Sequence, residues 1–313
     1  MKARAYVNFA LIKYWGKKDE KLRLPFQASL SFTIDKLFTD TKVTVNKKLI
    51  KDKITINGIS DERLNKRVIQ HLNLIRSKYN IKDYVEVTSV NNVPTSAGLA
   101  SSASSFAALT LAATKAFNLN LSKEELSRLS RYASGSASRS IFGNFAIWDV
   151  GDDKTSIARP IDINWPEFKI IVLMIDKSKK PASSTDAMKE SVENKLLYDE
   201  WVKQSKIDLD KMLIALNNKD IKSVGEIAEK NANHMHDLIE STGITYKTKE
   251  SLKAIDKIHE LRTKGVLAYY TMDAGPNIKI ITIDSEVNKI VDYFNEYETI
   301  VCSKGKDAHI VLN

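Results

Sequence analysis

The sequence has little of several residues whose abundance would point elsewhere. It holds one cysteine in 313 residues, Cys302. No internal disulfide, no CxxC redox pair and no zinc site needing two or more thiolates is therefore possible, and a reducing compartment suits that usage. Glycine (11) and proline (6) are scarce, which excludes a low-complexity or linker-rich chain. No run approaches the ~18 apolar residues of a membrane-spanning helix, and the N-terminal segment lacks the apolar core of a signal peptide. The five histidines show no metal-ligand spacing. His234 and His236 stand two apart, on different faces of any helix, and His71, His259 and His309 read as structural or exposed. Walker A, G-x-G-x-x-G and G-x-S-x-G strings are all missing.

What remains is a globular composition with an uneven charge. Hydrophobic residues make up 43% of the chain, enough for one large domain or two intimate ones. Lys and Arg outnumber Asp and Glu by 48 to 39, a net charge of +9. Residues 1–55 hold thirteen of the basic residues and only five acids, nearly the whole excess. Such a bias suits a nucleic acid, an anionic membrane or a polyphosphorylated small molecule, and equally a solvated lysine-rich surface.

Periodicity predicts an α/β first half. The opening segment reads as a strand running into a loop. Residues 41–46 and 53–57 alternate around a Lys-rich turn, the pattern of a hairpin. Residues 61–79 place Leu64, Val68, Leu72 and Ile75 on one helical face, and 83–90 alternate again. The Ala-rich stretch after residue 100 predicts a core helix, and Ser122 with Glu125 forms a capping box for a helix over 122–133. Residues 169–175 read as a doubly buried strand. Helices dominate 186–264, then two apolar strands flank the turn D-A-G-P-N, and a helix and two short strands close the chain. The expected division is an N-terminal α/β domain over 1–175 and a C-terminal α+β domain over 176–313.

Three clusters carry the chemistry. In "PTSAGLASSASS" (94–105), the small Ala97, Gly98, Ala100 and Ala103 let a ligand approach the backbone before a helix N-terminus, and Ser101, Ser102, Ser104 and Ser105 add hydroxyls. This pattern suits a phosphate, or else a tight helix contact. "SGSASRS" (134–140) presents Arg139 among small hydroxyl residues, as a bidentate anion donor or a structural ion pair. Asp273 sits in the Gly-Pro turn, where aspartate also serves local hydrogen bonding.

Taken together, "NFALIKYWGKKDEKLRLPFQASLSFTID" (8–35), "NNVPTSAGLASSAS" (91–104), "ASGSASRSIFGNFAIW" (133–148) and "YTMDAGPNIKI" (270–280) resemble the mevalonate diphosphate decarboxylase family of the GHMP small-molecule kinase superfamily. The match runs in order over the whole chain. The resemblance implies a two-domain fold, with a ribosomal-protein-like N-terminal α/β domain, a ferredoxin-like C-terminal α+β domain and a ligand cleft between. It implies conversion of mevalonate 5-diphosphate and ATP to isopentenyl diphosphate, ADP, phosphate and CO2. Mg²⁺ would accompany ATP. A cytoplasmic homodimer without nucleic-acid or membrane partners is also implied.

Residue by residue, the resemblance places Asp273 beside the substrate 3-hydroxyl, as base or orienting group, and Asn8 near the reacting carbon. Arg139 would hold the substrate carboxylate or diphosphate. Tyr14 and Lys17 would contact the diphosphate, with Ser134, Gly135 and Ser136 adding hydrogen bonds and Lys13 structural. Pro94, Ser96, Ala97, Gly98, Leu99, Ala100, Ser101, Ser102 and Ser104 would cradle the ATP phosphates, with Ser184 and Lys180 beside the transferring phosphate. Gln27 stands where the family usually has Asn, Ala187 replaces a Gly, and Thr185 stands where some bacterial members carry Arg. Two other readings stay open. One is a kinase or decarboxylase acting on a mevalonate monophosphate or related small alcohol. The other is a nucleic-acid binder using the basic first 55 residues.

Overall fold

The computed structural model describes residues 1–92, 101–176 and 182–312, with only the backbone of Arg63 and Leu64. Its elements run β1 (Lys2–Ile12), β2 (Ser29–Val45), β3 (Lys53–Ile56), α1 (Glu62–Tyr79), β4 (Val85–Asn91), α2 (Ser101–Ala116) and α3 (Lys123–Ala133). A 3-10 turn (Gly135–Ile141), β5 (Phe145–Trp148), β6 (Ala158–Pro160) and β7 (Phe168–Met174) follow. Then come α4 (Ser184–Glu193), α5 (Lys195–Asn217), α6 (Ile221–Glu240) and α7 (Lys249–Thr263). The chain ends with β8 (Tyr269–Met272), β9 (Ile278–Ile283), α8 (Val287–Tyr293), β10 (Glu298–Cys302) and β11 (His309–Ile310).

Two sheets organise these elements. The first runs β11-β1-β2-β4-β3, with β5 and β6 continuing from β2; the second runs β10-β7-β9-β8. The expected hairpin at 41–57 does not form. β3 pairs in parallel with β4, which lies between β3 and β2. The 46–52 connection is long enough to pass over one strand position. β4, alternately buried at Val85, Val87 and Ser89, gains a partner on each edge by filling it.

The capping box predicted at Ser122 and Glu125 is present. α2 is buried over most of its circumference, because its alanines and threonines let it lie close against the first sheet. Val68, Leu72 and Ile75 of α1 pack into the same core. A second core lies between the two sheets and α5 and α6, and a third joins the second sheet to α7 and α8. The result is a mixed α/β architecture built on two sheets.

One irregularity decides what reaches the space between the halves. The β1–β2 ladder shifts register between Tyr6 and Asn8. Before the shift Ala3 and Ala5 pack on the helical layer. After it Val7, Phe9 and Leu11 join the core shared with the second sheet, and Asn8 faces the 3-10 turn instead. A bulge re-aims side chains in this way, and here it delivers a buried amide to the candidate site.

Candidate active site

The site is assembled where the end of β1 meets the β8–β9 turn. That turn is held from two sides. Asn277 accepts from the backbone N–H groups of Ile175 (2.6 Å) and Asp176 (3.0 Å), and Ser251 at the start of α7 donates to the Pro276 carbonyl at 2.8 Å. Across the junction, the Lys13 N–H donates to Asn231 Oδ1 of α6 at 2.8 Å, and Thr271 donates to the Ala10 carbonyl at 3.3 Å.

These anchors bring Lys13 Nζ to 2.9 Å from Asp273 Oδ1. Lys279 Nζ, on β9, lies 3.2 Å from Asp273 Oδ2. Both lysines are buried, at 2% and 0% exposure. Burial pushes the Asp273 carboxyl up, but the two ammonium groups more than reverse this and hold it well below the usual carboxylate range. Burial also pushes Lys13 down to about 8, against the pull of Asp273.

Arg139 is 2% exposed and is held by hydroxyls, not carboxylates. Its Nε donates to Ser31 Oγ at 3.0 Å and its Nη1 to Ser29 Oγ at 2.5 Å. No ion pair is made to it among the described residues. Burial pushes its pKa down to about 10, opposed by the field of Asp273. Three buried cations therefore share one carboxylate, and an anion entering here meets a net positive, largely dry surface.

Asn8 and Tyr14 each leave a polar atom without a partner among the described residues. Asn8 spends its Nδ2 on the Ser136 carbonyl (3.0 Å) and Ser140 Oγ (2.7 Å), while its buried Oδ1 has no hydrogen bond. The Tyr14 phenol is buried and unpartnered as well. Burial pushes its pKa up, so it stays a neutral donor. Orphans of this kind are rare in native proteins, and a bound ligand is one way to satisfy them.

The Tyr14 ring packs edge-on against Trp148, 4.7 Å between centroids. Gly135 lies directly against both rings, where a Cβ would come within 2.8 Å. The Ser134 and Ser136 hydroxyls are 3.2 Å apart. Lys17, a proposed diphosphate contact, is paired at 2.8 Å with exposed Glu20. Of Lys13 and Lys17, the one that touches Asp273 is Lys13, the lysine expected to be structural.

The other expected residues are distributed as follows. Ser184 begins α4 and is half-buried; the helix is capped by Ser183, which accepts from the Asp186 N–H. Ala187 is fully buried among Trp15, Tyr198, Trp201 and Tyr246, so its methyl group fills a core where a glycine would leave space. Gln27 donates to the Lys13 carbonyl at 3.3 Å and keeps an unpartnered Oε1. Ser101 and Ser102 line a cavity of about 430 Å³ with Ser105, Asn91 and Phe106. Ser104 does not line it and is bonded to Thr39 at 2.8 Å. Pro94, Ser96, Ala97, Gly98, Leu99, Ala100 and Lys180 lie outside the described residues.

The loop that carries Lys13 and Lys17 depends on one glycine. Gly16 has φ +86°, and a Cβ there would fall 2.0 Å from Tyr198 Oη, which donates to the Trp15 carbonyl at 2.7 Å. Gly16→Ala is expected to lower stability by about 2–4 kcal/mol, read as a reduced urea midpoint at unchanged slope.

Comparisons with known proteins converge on one family. The diphosphomevalonate decarboxylase-like N-terminal domain matches residues 5–158, and the mevalonate 5-diphosphate decarboxylase C-terminal domain matches residues 170–310. Human diphosphomevalonate decarboxylase is 34% identical over 314 residues, covering 92% of this chain and 78% of the human one. The Debaryomyces hansenii enzyme of the same name is 34% identical over 94% of this chain and 82% of its own. Among solved structures, the mevalonate diphosphate decarboxylase from Enterococcus faecalis superposes with a TM-score of 0.93 at 39% identity, covering 100% of this chain and 98% of that one. A complex of MDDEF with MVAPP, AMPPCP and magnesium gives a TM-score of 0.94 at 40% identity over the same shares.

Proposed function

The chain belongs to the diphosphomevalonate decarboxylase family, and we propose from that premise how its own residues carry the family's reaction. It catalyses ATP-dependent decarboxylation of mevalonate 5-diphosphate to isopentenyl diphosphate, releasing ADP, phosphate and CO2. The observation that carries the residue assignment is the buried group of Lys13, Lys279 and Arg139 around the single carboxylate of Asp273.

The substrate's tertiary hydroxyl is a poor leaving group, and phosphorylation turns it into a good one. Loss of that phosphate builds positive charge at C3, which the departing carboxylate relieves as CO2. Asp273 stays ionised at working pH and faces this carbon with a fixed negative charge, orienting the hydroxyl first and opposing the cationic charge afterwards. Lys13 and Lys279 fix its two oxygens. Arg139, anchored on Ser29 and Ser31, keeps guanidinium edge for the substrate carboxylate or diphosphate. Asn8 Oδ1 and the Tyr14 phenol offer an acceptor and a donor to a bound ligand. A diphosphate reaching Lys17 exchanges for Glu20, an exposed partner that is easily displaced.

The nucleotide takes the cavity at the start of α2, where positioning and charge neutralisation do most of the work of phosphoryl transfer. Ser101 and Ser102 on the cavity wall would offer hydroxyl oxygens to a magnesium ion carried by the nucleotide. Magnesium, when bound there, neutralises phosphate charge. No described helix is long and apolar enough to cross a membrane. A cytoplasmic homodimer belongs to the same proposal.

The test is turnover of purified mevalonate diphosphate with ATP. ADP and CO2 are expected one to one. ADP without CO2 would make the chain a kinase, and neither product would remove the enzymatic reading. Faster turnover of the monophosphate than of the diphosphate would reassign the substrate.

A further inference from the structure

Arg23 lies in the 8–35 segment, six residues after Lys17, and the resemblance gives it no role. It holds φ 51°, a left-handed conformation that few non-glycine residues adopt. Its loop enforces this. Lys18 and Leu24 are bonded across its base at 2.8 Å and Leu24 to Asp19 at 3.2 Å. Asp19 Oδ1 accepts from the Leu22 N–H at 2.7 Å, and the buried Arg131 donates to the Leu22 carbonyl at 2.9 Å. Strain held this firmly directs attention to what the side chain reaches.

The Arg23 side chain turns inward. Its Nε donates to the Tyr132 carbonyl at 2.8 Å, and no described carboxylate pairs with it. There it lines a cavity of about 160 Å³ together with Arg67, Gln70, His71, Tyr132 and Ala133. Two guanidinium groups thus meet in a space whose lining carries no acid among the described residues. His71 adds a buried Nδ1 without a partner, its Nε2 being 2.8 Å from Thr110 Oγ1. A protonated phosphate oxygen or a bridging water suits that nitrogen.

The cavity ends beside the Ser134–Ser136 turn and shares lining residues with the larger cavity. Ala133, whose carbonyl accepts from Arg67 at 3.3 Å, directly precedes Ser134, Gly135 and Ser136. Arg67 and Phe106 also line the larger cavity, and Ser102 of that cavity is 3.4 Å from Ser134. The Tyr14 phenol, its pKa raised chiefly by burial, also lies in the field of Arg23. Arg23 therefore addresses the same space as the diphosphate contacts.

We propose that Arg23, with Arg67 beside it, forms a phosphoryl-binding subsite that receives the terminal phosphate of the diphosphate substrate. The assignment of that substrate rests on the function proposed above; the anion chemistry of the subsite does not. A guanidinium on a phosphate oxygen makes a charge-assisted bond that a neutral residue cannot replace.

The experiment compares the whole enzyme with Arg23→Met, Arg23→Gln and Arg23→Lys. Binding of inorganic pyrophosphate without nucleotide is measured by titration calorimetry, and steady-state constants are measured for both substrates. Arg23→Met and Arg23→Gln should each weaken pyrophosphate and raise the KM for mevalonate diphosphate by ~10–100-fold, with kcat within about twofold and the KM for ATP unchanged. Arg23→Lys should recover part of the loss. Arg23→Gln keeps a donor for the Tyr132 carbonyl without the charge, so wild-type affinity in that variant would reduce Arg23 to a helix cap and overturn the proposal. A rise confined to the KM for ATP would assign the cavity to the nucleotide and overturn it too. If the wild type does not turn over mevalonate diphosphate while pyrophosphate binding still depends on Arg23, the functional reading fails and the subsite stands. Normal turnover with no change in any Arg23 variant removes the subsite alone.

Discussion

Asp273→Asn should lower kcat by about 10³-fold or more while leaving the fold in place. The substitution keeps the volume and an oxygen for Lys13, and the turn remains tied by Asn277 to the end of β7 and by Ser251 to α7. What it removes is the one negative charge among Lys13, Lys279 and Arg139. The developing cation at C3 would then face three positive groups, and the hydroxyl would lose its orienting carboxylate. A kcat within tenfold of wild type in the variant would show that Asp273 does neither task.

The same cluster sets the pH response of the wild type. Burial pushes Lys13 down to about 8, so kcat/KM should fall as pH rises past about 8 and Asp273 loses its closest counter-ion. The bound polyanion favours the charged lysine, which moves the corresponding fall in kcat to higher pH. Asp273, held below the ordinary carboxylate range, gives no acid limb near neutrality. Stability runs the opposite way. Lys13 binds its proton less tightly folded, near 8, than at its ordinary value of 10.5. The unfolded chain therefore carries more protons between those values, and this group's contribution to stability rises with pH across that window. A kcat/KM profile flat from pH 7 to 10 would contradict the role given to Lys13.

Much of this arrangement was legible in the residues, and what was not has identifiable causes. The capping box at Ser122 and the helical face of Val68, Leu72 and Ile75 are local signals, and local signals survive folding. The pairing of β3 is not local: the alternation of residues 53–57 is satisfied equally by β2 or by β4, and only the competition among three strands decides. Lys13 and Lys17 share one short motif, and their sequence does not say which ammonium meets an aspartate 260 positions away. The choice follows from how the end of β1 docks on α6 through Asn231. Lys279 did leave a trace. It is the one charge in "NIKIITI", between isoleucines buried on both sides, and a lone charge in a doubly buried strand demands a partner. The turn preceding it contains one.

Arg139→Lys is the sharper test of how the anion is held, and kcat/KM for mevalonate diphosphate is expected to drop ~10²–10³-fold. The substitution preserves the charge, so any loss beyond a few-fold measures geometry. In the native site Ser29 and Ser31, neighbours on the same face of β2, take Nη1 and Nε and hold the guanidinium plane. That leaves the remaining edge directed at the ligand. An ammonium on a flexible stem lacks both the plane and the second donor, and it competes with the same two hydroxyls for its position. Lysine also gives up its proton more readily than arginine when buried, so the variant's activity should fall more steeply with rising pH than that of the wild type. If Arg139 merely tied the 3-10 turn to β2, the variant would lower the unfolding midpoint and leave kcat/KM within about threefold. The comparison of the two readouts therefore separates an arginine that recognises a substrate from one that only braces the fold.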